Sequence, residues 1–193
     1  MGRRSDHSRA ELEELILQAG EAHLSEAGFA GFSAREVAKR VGYSIGTIYN
    51  VFGSYDRLML AINARTLRAW AAFLHLRLER EPGDRLAALV HGYFDFAAEN
   101  RNRWMALYDH RMGDESELPA EFVAAFAALI ALIQAEVAAA RADAREEEIG
   151  ALTGSLVAIA HGHCMFVLNG THALFGEWSP REAALARIRE ALA

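Results

Sequence analysis

The sequence has few of the residues that interrupt helices or form covalent cross-links. It has three prolines in 193 residues, and alanine is abundant. Alanine has the most favourable intrinsic helix propensity, so this composition favours helices over many short strands. The single cysteine, Cys164, excludes an intramolecular disulfide and fits a reducing compartment. We therefore expect an all-α cytoplasmic protein without a disulfide framework.

The sequence also lacks an uninterrupted apolar run that could span a bilayer. The longest apolar stretch, residues 156–168, is interrupted by His161, Gly162 and His163, whereas a spanning helix needs about 20 consecutive apolar residues. Residues 1–9 are polar and basic, and no apolar segment of the kind found in secretory signals follows them. We expect no membrane partner.

An excess of positive charge is absent as well. The net charge is −6, and Lys39 is the only lysine. Residues 1–57 carry seven basic and eight acidic side chains, whereas residues 58–193 carry 13 and 18. The N-terminal part is therefore less acidic but not basic. Binding to a nucleic acid would depend on which face carries its positive charges.

Apolar residues recur at three- and four-residue steps along most of the chain, a pattern that predicts helices. Gly28 is expected to end the first helix in a left-handed conformation. Ser33 and Glu36 predict a capping box at the start of the second. The predicted helices cover residues 8–28, 34–41, 45–52, 56–81, 84–99, 101–112, 119–142, 144–172 and 180–192.

The two short helices at residues 34–41 and 45–52 have helix-turn-helix dimensions. Gly42 supplies the backbone freedom of the turn, and Ser44 caps the second helix. The outward face of that helix is slim enough to enter a DNA major groove, which is about 12 Å wide. The side chains expected to face inward are Val37, Ala38, Val41, Ile48 and Phe52.

The run from Phe29 to Leu58 resembles the DNA-binding domain of the TetR family of transcriptional regulators. The matching positions, at the family's spacing, are Val37, Ala38, Gly42, Ser44, Gly46, Tyr49, Phe52 and Leu58. The resemblance implies a three-helix DNA-binding domain in residues 1–55, followed in residues 56–193 by a helical bundle for effector binding and dimerisation. It implies a homodimeric, ligand-responsive repressor on a palindromic double-stranded operator.

The resemblance also implies which side chains contact DNA. Tyr49 would meet a backbone phosphate, and Thr47 and Asn50 would contact phosphates or base edges. Ile45 and Tyr55 stand where the family frequently has lysine, so we expect a modest salt dependence of DNA binding. The predicted DNA-binding residues are Arg4, Ser33, Arg35, Ser44, Ile45, Gly46, Thr47, Tyr49, Asn50 and Tyr55.

Effector-binding residues are predicted from aromatic and polar side chains on otherwise apolar helix faces, since pockets are mostly apolar with a few polar anchors. Plain core packing is the alternative for each of them. The candidates are Trp70, His91, Phe94, Trp104, Tyr108, Phe126, His161 and Cys164. The effector is expected to be a small apolar molecule. The Ala160-His161-Gly162 run resembles the Trp-His-Gly signature of one group of TetR C-terminal domains, with alanine replacing tryptophan.

The last two predicted helices present small and apolar residues that would let helices approach closely. The family resemblance implies a four-helix dimer interface built from these two helices of each subunit. The alternative is that both helices close the core of one chain. The predicted interface residues are Gly154, Ser155, Ala158, Gly162, Ala184 and Ile188.

The chain contains no catalytic signature, such as a glycine-rich phosphate loop or a Gly-x-Ser-x-Gly motif. His161 and Cys164 share a helix face, but two ligands do not close a zinc site. We therefore expect no enzyme activity, no metal and no other cofactor. Two alternatives to the repressor remain open: an architectural DNA-binding factor without an effector, whose core would hold no cavity, and a helical enzyme.

Overall fold

The structure is a computed structural model that describes residues 7–111 and 118–193. These residues form nine α-helices and a short 3₁₀ turn, Thr171–Phe175, and contain no strand, which confirms the all-α prediction. The helices are α1 (Arg9–Gly31), α2 (Ala34–Val41), α3 (Ile45–Phe52), α4 (Tyr55–Arg80), α5 (Arg85–Glu99), α6 (Arg101–Asp109), α7 (Ala120–Ala140), α8 (Glu146–Leu168) and α9 (Pro180–Leu192).

The chain forms two compact units. The N-terminal unit comprises Met1–Thr66 and Asn102–Val123, and the C-terminal unit comprises Leu67–Arg101 and Ala124–Ala193. The division falls within α4, so this helix contributes residues to both units. The domain boundary predicted after residue 55 stays a prediction.

The core of the N-terminal unit is built where α1, α2, α3 and the first half of α4 bury their apolar faces. Ile16, Val37, Ile48 and Leu58 have no exposed surface. Val37 and Ile48 therefore face inward as the helical periodicity predicts. Of the five predicted inward side chains, Val41 and Phe52 are only half-buried and pack at the edge of this core.

Gly28 kinks α1 instead of ending it. Its φ of 68° and ψ of 176° lie in a region that is essentially restricted to glycine, whereas a left-handed cap has a ψ of about +47°. Helical backbone resumes beyond the kink and ends at Gly31, where the Phe32 N–H donates to the Phe29 carbonyl. The positive φ is confirmed, but the predicted helix end was three residues early.

The start of α2 also differs in detail from its prediction. The Ser33 hydroxyl accepts the Glu36 N–H as expected (3.4 Å). The Ser33 N–H, however, donates to Nε2 of the buried His23 on α1 (3.2 Å) rather than to Glu36. Only half of the predicted capping box therefore forms, because a tertiary acceptor takes the second donor.

In the C-terminal unit, α5, α8 and α9 pack against one another. The Asp95 carboxylate on α5 accepts hydrogen bonds from both Arg77 on α4 and Arg181 on α9. The helix predicted over residues 144–172 is shorter in the structure, because Gly170 turns the chain with a φ of 71° after Leu168.

Two helices, α7 and α8, are long and apolar enough to cross a membrane by length and composition alone. Their most apolar 18-residue windows have mean hydropathies of 2.1 and 1.6, and 22% of each window is buried. This is weak support for membrane insertion, because helices of soluble proteins pass the same test. Each helix buries one face, represented by Ile133 and Leu156, and leaves apolar surface outside.

Candidate DNA-binding surface and effector cavity

The turn between α2 and α3 has the backbone that a helix-turn-helix requires. Gly42 adopts the left-handed conformation (φ 77°, ψ 24°), where it ends α2 and donates to the Lys39 carbonyl. The Ser44 hydroxyl then accepts the Thr47 N–H (3.1 Å) and so caps α3. The predicted roles of Gly42 and Ser44 in forming the two helices are therefore confirmed.

The outer face of α3 consists of short or slim side chains. Gly46, Tyr49 and Asn50 are exposed, and Tyr49 has 39% of its surface accessible. Thr47 is half-buried, and its hydroxyl shares a 3.0 Å hydrogen bond with that of Ser44. The inner face is anchored by the fully buried Ile48. Because Gly46 has no side chain, the helix axis can approach a ligand surface closely at this face.

A groove beside this face brings together five of the predicted DNA-binding residues. Its lining is Phe32, Ser33, Ala34, Arg35, Ile45, Tyr49 and Tyr55. The groove lies at the N-terminus of α2, where free N–H groups and the helix dipole favour an anion such as a phosphate. Burial raises the pKa of Tyr55, so its hydroxyl stays protonated and can donate a hydrogen bond at neutral pH.

Few cations around this groove are free for phosphate contacts. Arg40 is bound by both carboxylate oxygens of Glu26, and Lys39 lies 3.7 Å from a Glu36 carboxylate oxygen. Arg35 and Arg57 are exposed and form no ion pair with the described part of the chain. Arg4, also predicted to contact DNA, lies outside the described residues. The modest salt dependence stays a prediction that these pairings support.

The C-terminal unit contains a small apolar cavity of about 30 Å³. Four helices of this unit, α5, α7, α8 and α9, contribute to its wall. The lining residues are Leu86, Leu89, Val90, Tyr93, Ile133, Glu136, Val137, Leu156, Val157, Ala160 and Ile188. This volume is far below that of ligand pockets, which is about 300–1,000 Å³.

The one carboxylate in the cavity wall is already neutralised. Glu136, with a side chain 12% exposed, accepts hydrogen bonds from Nε (2.8 Å) and Nη2 (2.6 Å) of Arg85. Arg85 also donates to the Leu78 carbonyl. The hydrogen bond to Glu136 raises the pKa of Arg85, so the guanidinium keeps its positive charge beside this carboxylate. The cavity therefore presents no uncompensated charge to a ligand.

The structure does not gather the eight predicted effector-binding residues around this cavity. None belongs to its lining, although the ring of Trp70 and a nitrogen of His161 contact Tyr93, which does (ring centroids 4.8 Å; Nδ1 to hydroxyl 3.2 Å). Of the others, Phe94 and Cys164 are buried, and His91 lies beside Glu182. Trp104 and Tyr108 are on α6 in the N-terminal unit. Phe126 is half exposed.

Sequence reasoning missed the residues that do line the cavity. Leu86, Val90 and Tyr93 recur at helical steps on α5, and this spacing was available in the sequence. The aromatic and histidine content of the other helices drew the prediction instead. Which apolar faces meet around a void is decided by helix packing, and helical periodicity alone does not specify it.

Four of the six predicted dimer residues lie on one exposed face of α8. Gly154, Ser155, Ala158 and Gly162 are exposed, and a Cβ added at either glycine would have no atom within 4 Å. The other two, Ala184 and Ile188 on α9, are buried within the C-terminal unit, with 0% and 3% exposure. They therefore lie in the core of one protomer rather than on its surface.

Burial changes the pKa values of two side chains on α8, Cys164 and His161. Desolvation raises the pKa of the Cys164 thiol to about 12 and lowers the pKa of His161. A thiol with so high a pKa is a poor nucleophile at neutral pH.

Among residues 7–111 and 118–193, no group of three metal-ligating side chains comes together.

Two family models match the chain and together cover most of it. Residues 16–62 match the model of bacterial regulatory proteins of the tetR family, and residues 86–191 match a tetracyclin repressor-like C-terminal domain. The chain belongs to the TetR family. The first match contains the helix-turn-helix, and the second contains every residue of the cavity lining. The similarity to the Trp-His-Gly group stays a prediction.

Solved structures share this TetR-family fold over nearly the whole chain. A protein of unknown function from Rhodococcus sp. RHA1 is 22% identical with a TM-score of 0.74, covering 98% of this chain and 97% of that one. A TetR-like transcriptional regulator from the same organism is 21% identical, with a TM-score of 0.58 and 96% coverage of both chains. The multidrug binding protein EbrR, solved with imidazole, is 20% identical, with a TM-score of 0.64 and 97% coverage of both. No curated protein matches the sequence.

Proposed function

We propose that this TetR-family protein is a cytoplasmic, ligand-responsive repressor that binds a palindromic operator as a homodimer. The observation that carries the proposal is a helix-turn-helix in the same chain as a C-terminal unit that matches a tetracyclin repressor-like domain. The apolar cavity of that unit holds only about 30 Å³, so an effector would have to part the surrounding helices to enter, and an architectural DNA-binding factor stays the alternative. The chain's TetR-family membership and its lack of a catalytic motif disfavour the helical enzyme.

On the DNA side, α3 is proposed to lie in the major groove with Tyr49 and Asn50 toward the duplex. The start of α2 would hold a backbone phosphate through its free N–H groups, the Arg35 guanidinium and the Tyr55 hydroxyl. Gly46 would let the first turn of α3 come close to the sugar-phosphate backbone. These contacts account for the convergence of five predicted residues on one groove.

On the effector side, the cavity favours a compact, uncharged and mainly apolar molecule. Its wall is apolar except for Tyr93 and Glu136, and Arg85 already neutralises Glu136. A ligand with a net charge would lose hydration without gaining a partner of opposite charge. The fold similarity to EbrR, which has been solved with imidazole and with proflavin, supports a ligand-binding role for this unit.

The dimer is proposed to form through the exposed small-residue face of α8. A homodimer with two-fold symmetry buries the same patch of both subunits, and small residues allow two helices to pack closely. This arrangement would cover part of the apolar surface that α8 leaves outside the protomer. Ala184 and Ile188 would support the interface from beneath, since they are buried in the protomer core.

Regulation is proposed to work by a shift between two conformations. The effector would favour one in which the recognition helices are wrongly spaced for the operator, so that DNA affinity falls. Because binding free energies are reciprocal, DNA would weaken effector binding by the same factor. The helix α4, which contributes residues to both units, is the proposed mechanical connection.

The test is a thermal-shift screen of uncharged, mainly apolar compounds, followed by DNA titrations with each stabilising compound. We expect a compound that raises the melting temperature and weakens operator binding by about 5- to 150-fold, the usual range of allosteric coupling. An Ala160→Val variant, which narrows the cavity by two methyl groups, should weaken the thermal response but still bind DNA. An Ala98→Val change on the exposed surface of α5 is the matched control.

Two results would contradict the proposed regulation. One is a compound that binds Ala160→Val as tightly as it binds the wild-type protein, since its site would then lie elsewhere. The other is an effector affinity that saturating operator DNA leaves unchanged, since the two sites would then be uncoupled.

A further inference from the structure

The recognition helix α3 carries an unusual set of side chains for reading bases. Its eight residues, Ile45–Phe52, include no arginine, lysine, glutamine, aspartate, glutamate or histidine. Ile48 is fully buried, and the hydroxyl of Thr47 is hydrogen-bonded to Ser44. Within α3, only Asn50 offers a donor and an acceptor on the same side chain in a planar arrangement.

Asn50 is also well placed to reach a base edge. It is exposed, and its amide makes no hydrogen bond with the residues that the structure describes. It lies four residues after Gly46, so the two positions share one face of the helix, one turn apart. Asparagine is short and reaches a base only when the helix axis comes close to the duplex. The missing side chain at Gly46 removes the obstacle to that approach.

We infer that Asn50 is the specificity-determining residue of α3 and reads an adenine in each operator half-site. An asparagine amide matches the N6 and N7 positions of adenine in the major groove with two hydrogen bonds. Guanine is read mainly by arginine or lysine, and α3 has neither. α3 therefore lacks the side chains that usually read guanine. The inference rests on the proposed function, because it names the base sequence that this DNA-binding surface prefers.

The experiment selects bound duplexes from a random-sequence DNA library with the wild-type protein, Asn50→Ala and Asn50→Arg. The wild-type selection should contain one A·T pair at a fixed position in each half-site. Asn50→Ala should relax the preference at that pair by about ten-fold while other positions keep theirs. Asn50→Arg should shift the same position toward guanine. Asn169→Ala, which removes an exposed amide in the C-terminal unit, is the control and should select the wild-type sequence.

Each result separates this inference from the proposed function. If the wild-type protein enriches an operator but Asn50→Ala enriches the same one with every base preference intact, the adenine assignment is overturned and DNA binding stands. Uniformly weaker binding of all sequences by Asn50→Ala would also overturn it, since that result describes a phosphate contact. If the wild-type protein enriches no sequence, the inference and the proposed function fail together.

Discussion

At the scale of single residues, His161 shows how packing changes a titratable group. It is half-buried on α8, and its Nδ1 lies 3.2 Å from the hydroxyl of Tyr93, a cavity-lining residue. Desolvation lowers the pKa of His161 below its ordinary value of 6.5. The folded protein therefore resists protonation at this position more than the unfolded chain does.

This lowered pKa predicts a pH dependence of stability. As the pH falls below about 6.5, the unfolded chain takes up a proton at His161 before the folded protein does, so the free energy of unfolding decreases. Between pH 7 and pH 5, His161→Gln should lose less stability than the wild-type protein in urea denaturation. Parallel curves for the two proteins would show that His161 titrates alike in both states.

The residue scale also separates what the sequence could predict from what it could not. Of the predicted DNA-binding residues on α3, Gly46, Tyr49 and Asn50 are exposed and Thr47 is half-buried. Their exposure follows from the register of one short helix, which the sequence pattern specifies. Tyr93 and Glu136 were missed because they line a void that exists only where four helices meet. Whether the predicted DNA contacts are made stays a prediction until a complex is measured.

At the scale of secondary-structure elements, local signals placed most helices well. The bounds of α2 and α3 agree with prediction to the residue, since a serine cap starts each of them and a glycine follows each. The prediction failed where tertiary contacts intervene. The kink at Gly28 lies where Asn102 of α6 donates a hydrogen bond to the Ser25 carbonyl (2.7 Å), and no local pattern specifies that contact.

The kink in α1 gives an element-scale prediction. Gly28→Ala should lower the free energy of unfolding by about 1–3 kcal/mol, because its backbone conformation is strained for any residue with a Cβ. The added Cβ would also meet the Asn102 side chain at 3.4 Å. Gly83→Ala is the control, since its Cβ would have no atom within 4 Å. Chemical denaturation of both variants checks this, and equal effects would mean that the kink carries no strain.

At the scale of the whole molecule, the proposed dimer explains why α8 keeps an apolar face outside the protomer. Gly162→Glu would place two carboxylates against each other across a two-fold axis. Like charges facing across an interface cost several kcal/mol, so the dimer dissociation constant should rise by about 100-fold or more. Ala98→Glu, on the exposed surface of α5, should leave it unchanged.

Analytical ultracentrifugation over a range of protein concentrations measures this dissociation constant. Circular dichroism of Gly162→Glu should show wild-type helix content, which separates loss of the dimer from loss of the fold. A Gly162→Glu protein that sediments as a dimer with wild-type affinity would mean that α8 does not form the interface through this face.

The proposed function requires that α3 directs sequence-specific binding of a dimer to DNA. This is measured by selection from a random-sequence duplex library with the wild-type protein and Tyr49→Ala in parallel. The selection is done at about 0.1 M salt, a concentration at which surface charges are screened beyond about 10 Å. We predict a two-fold symmetric site with half-sites about 10 base pairs apart or a multiple of this, enriched by the wild-type protein and not by Tyr49→Ala. Enrichment of the same site by both proteins, or of no site by the wild-type protein, would show that α3 does not direct this binding through Tyr49.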